Sequence, residues 1–127
     1  MSVANNHSFD FGQPGFEDTM AHLNKAGVKT VGKKGEIIYI DANGVTVAFI
    51  AFSYFPDHYL MHDLKASDKL IKQAEQQADI VVISVHAGAE GPMALNTYNK
   101  TESFLGENLG NLVQFSLSVI DSGADLL

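Results

Sequence analysis

The hydrophobic pattern is dominated by one continuous apolar run, Ile80-Val81-Val82-Ile83-Ser84-Val85, which ends in His86-Ala87-Gly88-Ala89-Glu90-Gly91. A run of this kind, without polar alternation, predicts a strand buried on both faces, as in the parallel sheet of an α/β domain. Ligands of open α/β sheets collect at the carboxyl ends of the strands, which is where His86 falls. Around it the periodicity alternates between helix and strand. Phe16, Met20 and Leu23 follow helical spacing over a helix from about Pro14 to Ala26, with Gly27 as its left-handed stop. Val28–Val31 reads as a short strand. Ile37–Ile40 and Val45–Phe52 flank Asp41-Ala42-Asn43-Gly44, an Asn-Gly hairpin signal in which the second strand is central. Ser53–His62 is a loop rich in aromatics and histidine. A helix begins at Asp63 or Ser67 and runs to Ala78, with Leu70, Ile71 and Ala74 on one side. After an irregular stretch from Glu90 to Gly106, a last helix from about Glu107 to Ser122 buries Leu109, Leu112, Val113, Val119 and Ile120. The alternation predicts an α/β fold in a single domain over residues 1–127.

Two features at the ends stand out. Met1–Ala4 reads as the last residues of a strand whose beginning is absent, and Ala124–Leu127 as a strand that has just begun. The expectation is a fragment of a longer protein, with sheet edges left open to self-association.

Composition narrows the chemistry. Eight basic against fifteen acidic residues give a net charge of −7, which argues against sequence-independent nucleic-acid binding. With no cysteine, disulfides and thiolate metal sites are excluded, so any metal must be held by His, Asp, Glu or Asn. No stretch reaches the roughly 18 apolar residues of a transmembrane helix. Gly88 and Gly91 read as turn glycines, since neither P-loop nor dinucleotide-binding spacing surrounds them. His58 and His62 match no motif and read as surface loop histidines. The candidates for a site are then the strand-end His86 and the Asn5-Asn6-His7 turn near the start. Read without context, the Asn-Asn-His turn simply closes a loop, and a strand-end histidine is satisfied by a carbonyl.

Context changes both readings. Val3-Ala4-Asn5-Asn6-His7-Ser8-Phe9-Asp10-Phe11-Gly12 resembles the ANNH-x-x-D-[FY]-G signature of CapA-type capsule and poly-γ-glutamate synthesis proteins. The resemblance continues in order through Gly15–Thr19, Asn43-Gly44-Val45, Ile83–Gly91, Phe104–Asn108 and Ile120–Leu126. That family is similar to the calcineurin-like metallophosphoesterases, which implies a layered β-sheet sandwich flanked by helices and a site for divalent ions (Mn, Zn, Fe or Mg). By resemblance, Asn6 and His86 are metal ligands and His7 is the catalytic proton donor. Asn5, Asp10 and Glu90 then belong to the surroundings of ligand or substrate, Glu90 being equally readable as a solvated loop acid. Asn5 stands in place of a glycine and Ser8 in place of the acidic residue that orients the histidine, a task for which Asp10 is the substitute in this chain. The family's upstream acidic ligands and its downstream G-H-x-P-H segment are absent, so metal binding by this chain alone is expected to be weak or absent and phosphoester turnover nil. The resemblance also implies a bacterial envelope setting, with poly-γ-glutamate or a capsule precursor and other polymer-synthesis proteins as partners. The chemistry it implies is a metal-dependent hydrolase or transferase, with a non-catalytic assembly or export accessory as the alternative.

Overall fold

The computed structural model describes every residue from Met1 to Leu127. Its centre is β2 (Val45–Ser53), the strand with the longest apolar alternation. On one side β2 pairs in parallel with β4 (Ile80–His86), in continuous register from Val47↔Ile80 to Ser53↔His86. β2 also pairs with β1 (Ile38–Ala42), antiparallel over Val45–Phe49, and with β3 (Tyr59–Leu60), parallel at its last residues Phe52 and Ser53. The β1–β2 turn is the expected two-residue hairpin, with Asn43 at φ 58° and Gly44 at φ 86°. Positive φ at both central residues is what lets the turn follow the twist of the strands.

Side chains alternate across the sheet and build two cores. Ala48, Ile50 and Phe52 of β2, with Val81 and Ile83 of β4, face helices α2 (Leu64–Glu75) and α3 (Leu112–Asp121). Ile71 and Ala74 from α2 and Phe115 and Val119 from α3 complete this buried cluster, and the Phe52 and Phe115 rings meet edge to face with centroids 5.1 Å apart. On the opposite face Ala51 packs with Ala4 and Val31, supported by Ile38 and Phe49. The layered α/β arrangement is therefore the one expected, with helices on one face and the N-terminal segment on the other.

Helix α1 (Gly12–Lys25) begins two residues before the expected start, and its first turn carries no acidic residue. Its end closes as expected on Gly27 (φ 78°): Gly27 N–H donates to Asn24 O, and Val28 N–H to Leu23 O. Of the two candidate caps for α2, Asp63 does the work, its Oδ1 accepting from Ala66 N–H at 2.9 Å.

Three expectations are corrected. Val28–Val31 forms only one parallel bridge, Ser2↔Val31, because the chain crosses there once before turning at Gly32. Residues 107–110 are not the start of the last helix. They form β6 (Glu107–Gly110), hairpinned to β5 (Glu102–Phe104) through Leu105 and Gly106, and α3 starts after Asn111, whose Oδ1 accepts from Gln114 N–H. Gly110 at φ 77° prevents the helix from extending backward. The buried face of α3 is then Phe115 and Val119, and Ile120, one residue further round the helix, is exposed. At the end of the chain, Asp125 and Leu126 lie along the outer edge of β4, with a bridge at Val82↔Leu126. No helix is long and apolar enough to cross a membrane.

Between α2 and α3, Asp68 receives hydrogen bonds from Lys72 Nζ and from the Ser122 hydroxyl at 2.8 Å. The Lys72 bond first, then the Ser122 bond, hold its carboxyl below the ordinary range. A depressed carboxylate contributes stability that is present above its unfolded value, about 4, and is lost as pH falls through the folded value. Asp68→Asn is therefore expected to lower the thermal midpoint at pH 7 and to narrow its difference from the wild type as the solution is acidified below about pH 4. Calorimetry across that range checks it.

Candidate functional site

The register of the two parallel strands sets the site. Ser53 and His86 are paired at the carboxyl ends of β2 and β4, and the residue that follows β2, Tyr54, stacks its ring on that of His86 (centroids 6.2 Å apart, planes 25° apart). The Asn5–Phe11 turns reach the same place from the opposite sheet face. They come close because Gly32 has no side chain: a Cβ there would lie 2.6 Å from Ala4 N. Asn5 Oδ1 accepts from the His7 backbone N–H at 2.9 Å, which fixes the turn.

The side chains then form a continuous row. His86 Nε2–H donates to Asn6 Oδ1 at 3.1 Å, and Asn6 Nδ2 faces His7 Nε2 at 3.5 Å. His7 Nδ1–H donates to Asp10 Oδ2 at 2.9 Å. This is one self-consistent proton arrangement, with each imidazole using a single N–H. The Ser8 hydroxyl turns inward and donates to Val3 O, so the acid that meets His7 is Asp10, three residues on. The structure thus brings Asn5, Asn6, His7, Asp10 and His86 together. Glu90 lines the same cavity without a hydrogen bond to His86.

That cavity, about 450 Å³, has Phe104, Leu105 and Leu109 as its apolar wall. The β5–β6 hairpin that supplies this wall is clasped to the site twice. Glu102 Oε2 accepts from Ala89 N–H at 3.0 Å, and Glu107 Oε2 accepts from the Tyr54 hydroxyl at 3.1 Å. Burial first, then the hydrogen bond and charge of Glu107, then the charge of Glu90, push the Tyr54 phenol up from its ordinary value.

Sequence reasoning missed three residues here. Tyr54 was readable as the position after a central strand whose partner ends at His86, but only once the register is known. Glu107 was hidden by its assignment to a helix. His58, expected at the surface, is fully buried, with Phe9 and Phe16 against its ring and both ring nitrogens turned to carbonyl oxygens. No group of three or more His, Asp or Glu side chains converges in a way that could hold a metal ion.

The family model of the bacterial capsule synthesis protein PGA_cap matches residues 1–103. The chain belongs to that family. Among PGA_cap relatives, the PGA biosynthesis protein CapA of Bacillus subtilis (strain 168) is 27% identical over 144 aligned residues, which take in all of this chain and 34% of the relative. The capsule biosynthesis protein CapA of Bacillus anthracis is 29% identical over 152 aligned residues, again across the whole chain and 33% of the relative. The chain therefore spans about a third of the length of these relatives. A Staphylococcus aureus protein assigned as a 5′-nucleotidase and solved with α-ketoglutarate superposes with a TM-score of 0.57 at 19% identity, covering 98% of this chain and 26% of the other. At that identity the likeness is one of fold, a layered α/β arrangement shared over 98% of this chain.

The Tyr54–Glu107 clasp is testable by titration. Glu107→Gln is expected to move the Tyr54 ionisation down toward, but not onto, the ordinary value of about 10, because burial still opposes the phenolate. Ring resonances followed by NMR at alkaline pH report it.

Proposed function

We propose that this chain carries part of a metal-dependent site of a CapA-type protein, with Asn6 and His86 as two ligands of a divalent ion and His7 as the proton-handling group. The observation that carries the reading is the approach of Asn6 Oδ1 to His86 Nε2 at 3.1 Å. Donors bonded at about 2.1 Å to one ion stand roughly 3 Å apart as neighbours in an octahedral shell, so this pair fits one ion. An amide oxygen and an imidazole suit Mn, Zn, Fe or Mg better than soft metals. When bound, such an ion supplies polarisation of a phosphoryl or acyl oxygen.

The remaining roles follow from the chain's own geometry. Asp10 holds the His7 ring by Nδ1 and leaves Nε2 as the atom that faces the cavity, where it can exchange a proton with a leaving group. Asn5 shapes the turn, and Glu90 stands on the cavity wall where it can orient a ligand or substrate. The reaction class is hydrolysis or transfer at a phosphoryl or amide bond. Its substrate would be poly-γ-glutamate, a capsule polymer or a precursor, in a bacterial envelope setting and alongside other polymer-synthesis proteins. The names of the Bacillus relatives support that context.

A second reading, a non-catalytic accessory of polymer assembly or export, is favoured by one observation: only two ligands converge, and both are neutral. Two neutral donors hold a divalent ion weakly. The chain is expected to bind Mn²⁺ in titration calorimetry, to lose it on dialysis, to lose binding altogether as His86→Ala, and to hydrolyse no aryl phosphoester. Stoichiometric Mn or Zn retained through dialysis, with hydrolysis abolished by His86→Ala, would overturn it.

Self-association belongs to the same reading. The outer edge of β4 is hydrogen-bonded by Asp125 and Leu126 at Val81 and Ile83, beside the exposed side chains of Ile80 and Leu127. Copies are expected to pair along it. A single monomeric species at high concentration in analytical ultracentrifugation would contradict that.

A further inference from the structure

His58 is the only histidine that is fully buried, and the site as described does not use it. Its ring lies 5.5 Å from Phe9 and 6.0 Å from Phe16, a space that a phenyl group fills equally well. What an imidazole adds is polar reach. Nδ1 lies 2.7 Å from Gly32 O and Nε2 3.2 Å from Asn5 O. Burying an imidazole costs free energy unless its nitrogens are satisfied. Each ring nitrogen has a carbonyl oxygen within hydrogen-bond reach.

Gly32 is the residue against which Ala4 is seated. Asn5 O belongs to the peptide that joins Asn5 to Asn6. The Asn5 side chain is already tied to His7 N–H, so a bond to its carbonyl leaves the peptide plane no free rotation. The loop that carries His58 also leaves β2 at Ser53, the residue paired with His86.

We propose that His58 is a positioning residue of the site: it fixes the Asn5–Asn6 peptide from the buried side and so sets the direction in which Asn6 Oδ1 meets His86 Nε2. Its functional value rests on the reading of Asn6 and His86 as metal ligands, whereas the meeting of the two side chains is readable without metal.

The test compares the wild-type protein with His58→Phe, which keeps the ring, and His58→Gln, which keeps one donor. In metal-free, isotope-labelled protein, both variants are expected to shift the Asn6 side-chain amide and the His86 Nε2 resonances toward solvent-exposed values. Backbone amides of α2 and α3 are expected to stay in place. A folded variant in which the Asn6 and His86 resonances do not move overturns the proposal, whatever happens to its thermal midpoint, because a purely structural residue would change only the latter. If neither variant folds, the wild-type coupling across the hydrogen bond from His58 Nε2–H to Asn5 O decides, and its absence overturns the proposal. In a second arm, Mn²⁺ affinity is expected to fall about tenfold or more in His58→Phe, the scale on which outer-shell partners act. A wild-type protein that binds no Mn²⁺ would sink the metal reading and leave the resonance comparison to decide on His58 alone.

Discussion

The parallel pairing of β2 with β4 is the constraint from which the rest follows. Seven consecutive residue pairs run from Val47↔Ile80 to Ser53↔His86. Their register is locked because Ala48, Ile50, Phe52, Val81 and Ile83 must all face the helices. A one-residue slip of β4 against β2 would turn Val81 and Ile83 off the helical face and His86 onto it. The core thus specifies, at no separate cost, on which face and at what height the histidine stands. Burial and function are set by one alternation.

The opposite face supplies what the strand cannot. Close approach of the N-terminal segment depends on small groups, with Ala4 against Gly32 and Ala51. That approach brings Asn6 low enough to reach His86. Ser8 is turned inward to Val3, which leaves Asp10 as the acid beside His7. From the other side, the β5–β6 hairpin is held by Glu102 to Ala89 and by Glu107 to Tyr54. Each wall of the cavity is tied to the strand ends by a named hydrogen bond, while the imidazoles of His7 and His86 stay exposed to ligand.

Local pattern carried much of this. The apolar run made β4 and its terminal histidine readable, and Asn43-Gly44 made the hairpin readable, because period and turn chemistry are properties of neighbours in sequence. What failed needed distant neighbours. Glu107–Gly110 resembled the first turn of a helix because Leu109, Leu112 and Val113 follow helical spacing; a strand of four residues has too few alternations to compete. His58 is buried by Phe9, Phe16 and Gly32, which lie 26 or more residues away, and nothing in Ser53–His62 announces it. Motif resemblance singled out Asn6, His7 and His86. The row that joins them was not legible, since it depends on a loop, a glycine and a strand end meeting in space.

The charge around the row bears on what the site can accept. Asp10, Glu90 and Glu107 surround two imidazoles in a chain of net charge −7. Such a field repels a polyanion such as poly-γ-glutamate and attracts a cation. A bound ion is often the largest local charge in its site and inverts that balance. On the proposed reading the acids would draw the cation in, and Asn6 and His86 would hold it. An anionic polymer would be accepted only afterwards, through the positive field that the ion brings. On the proposed reading metal and polymer binding would be coupled, since a sparse ligand set would leave each dependent on the other.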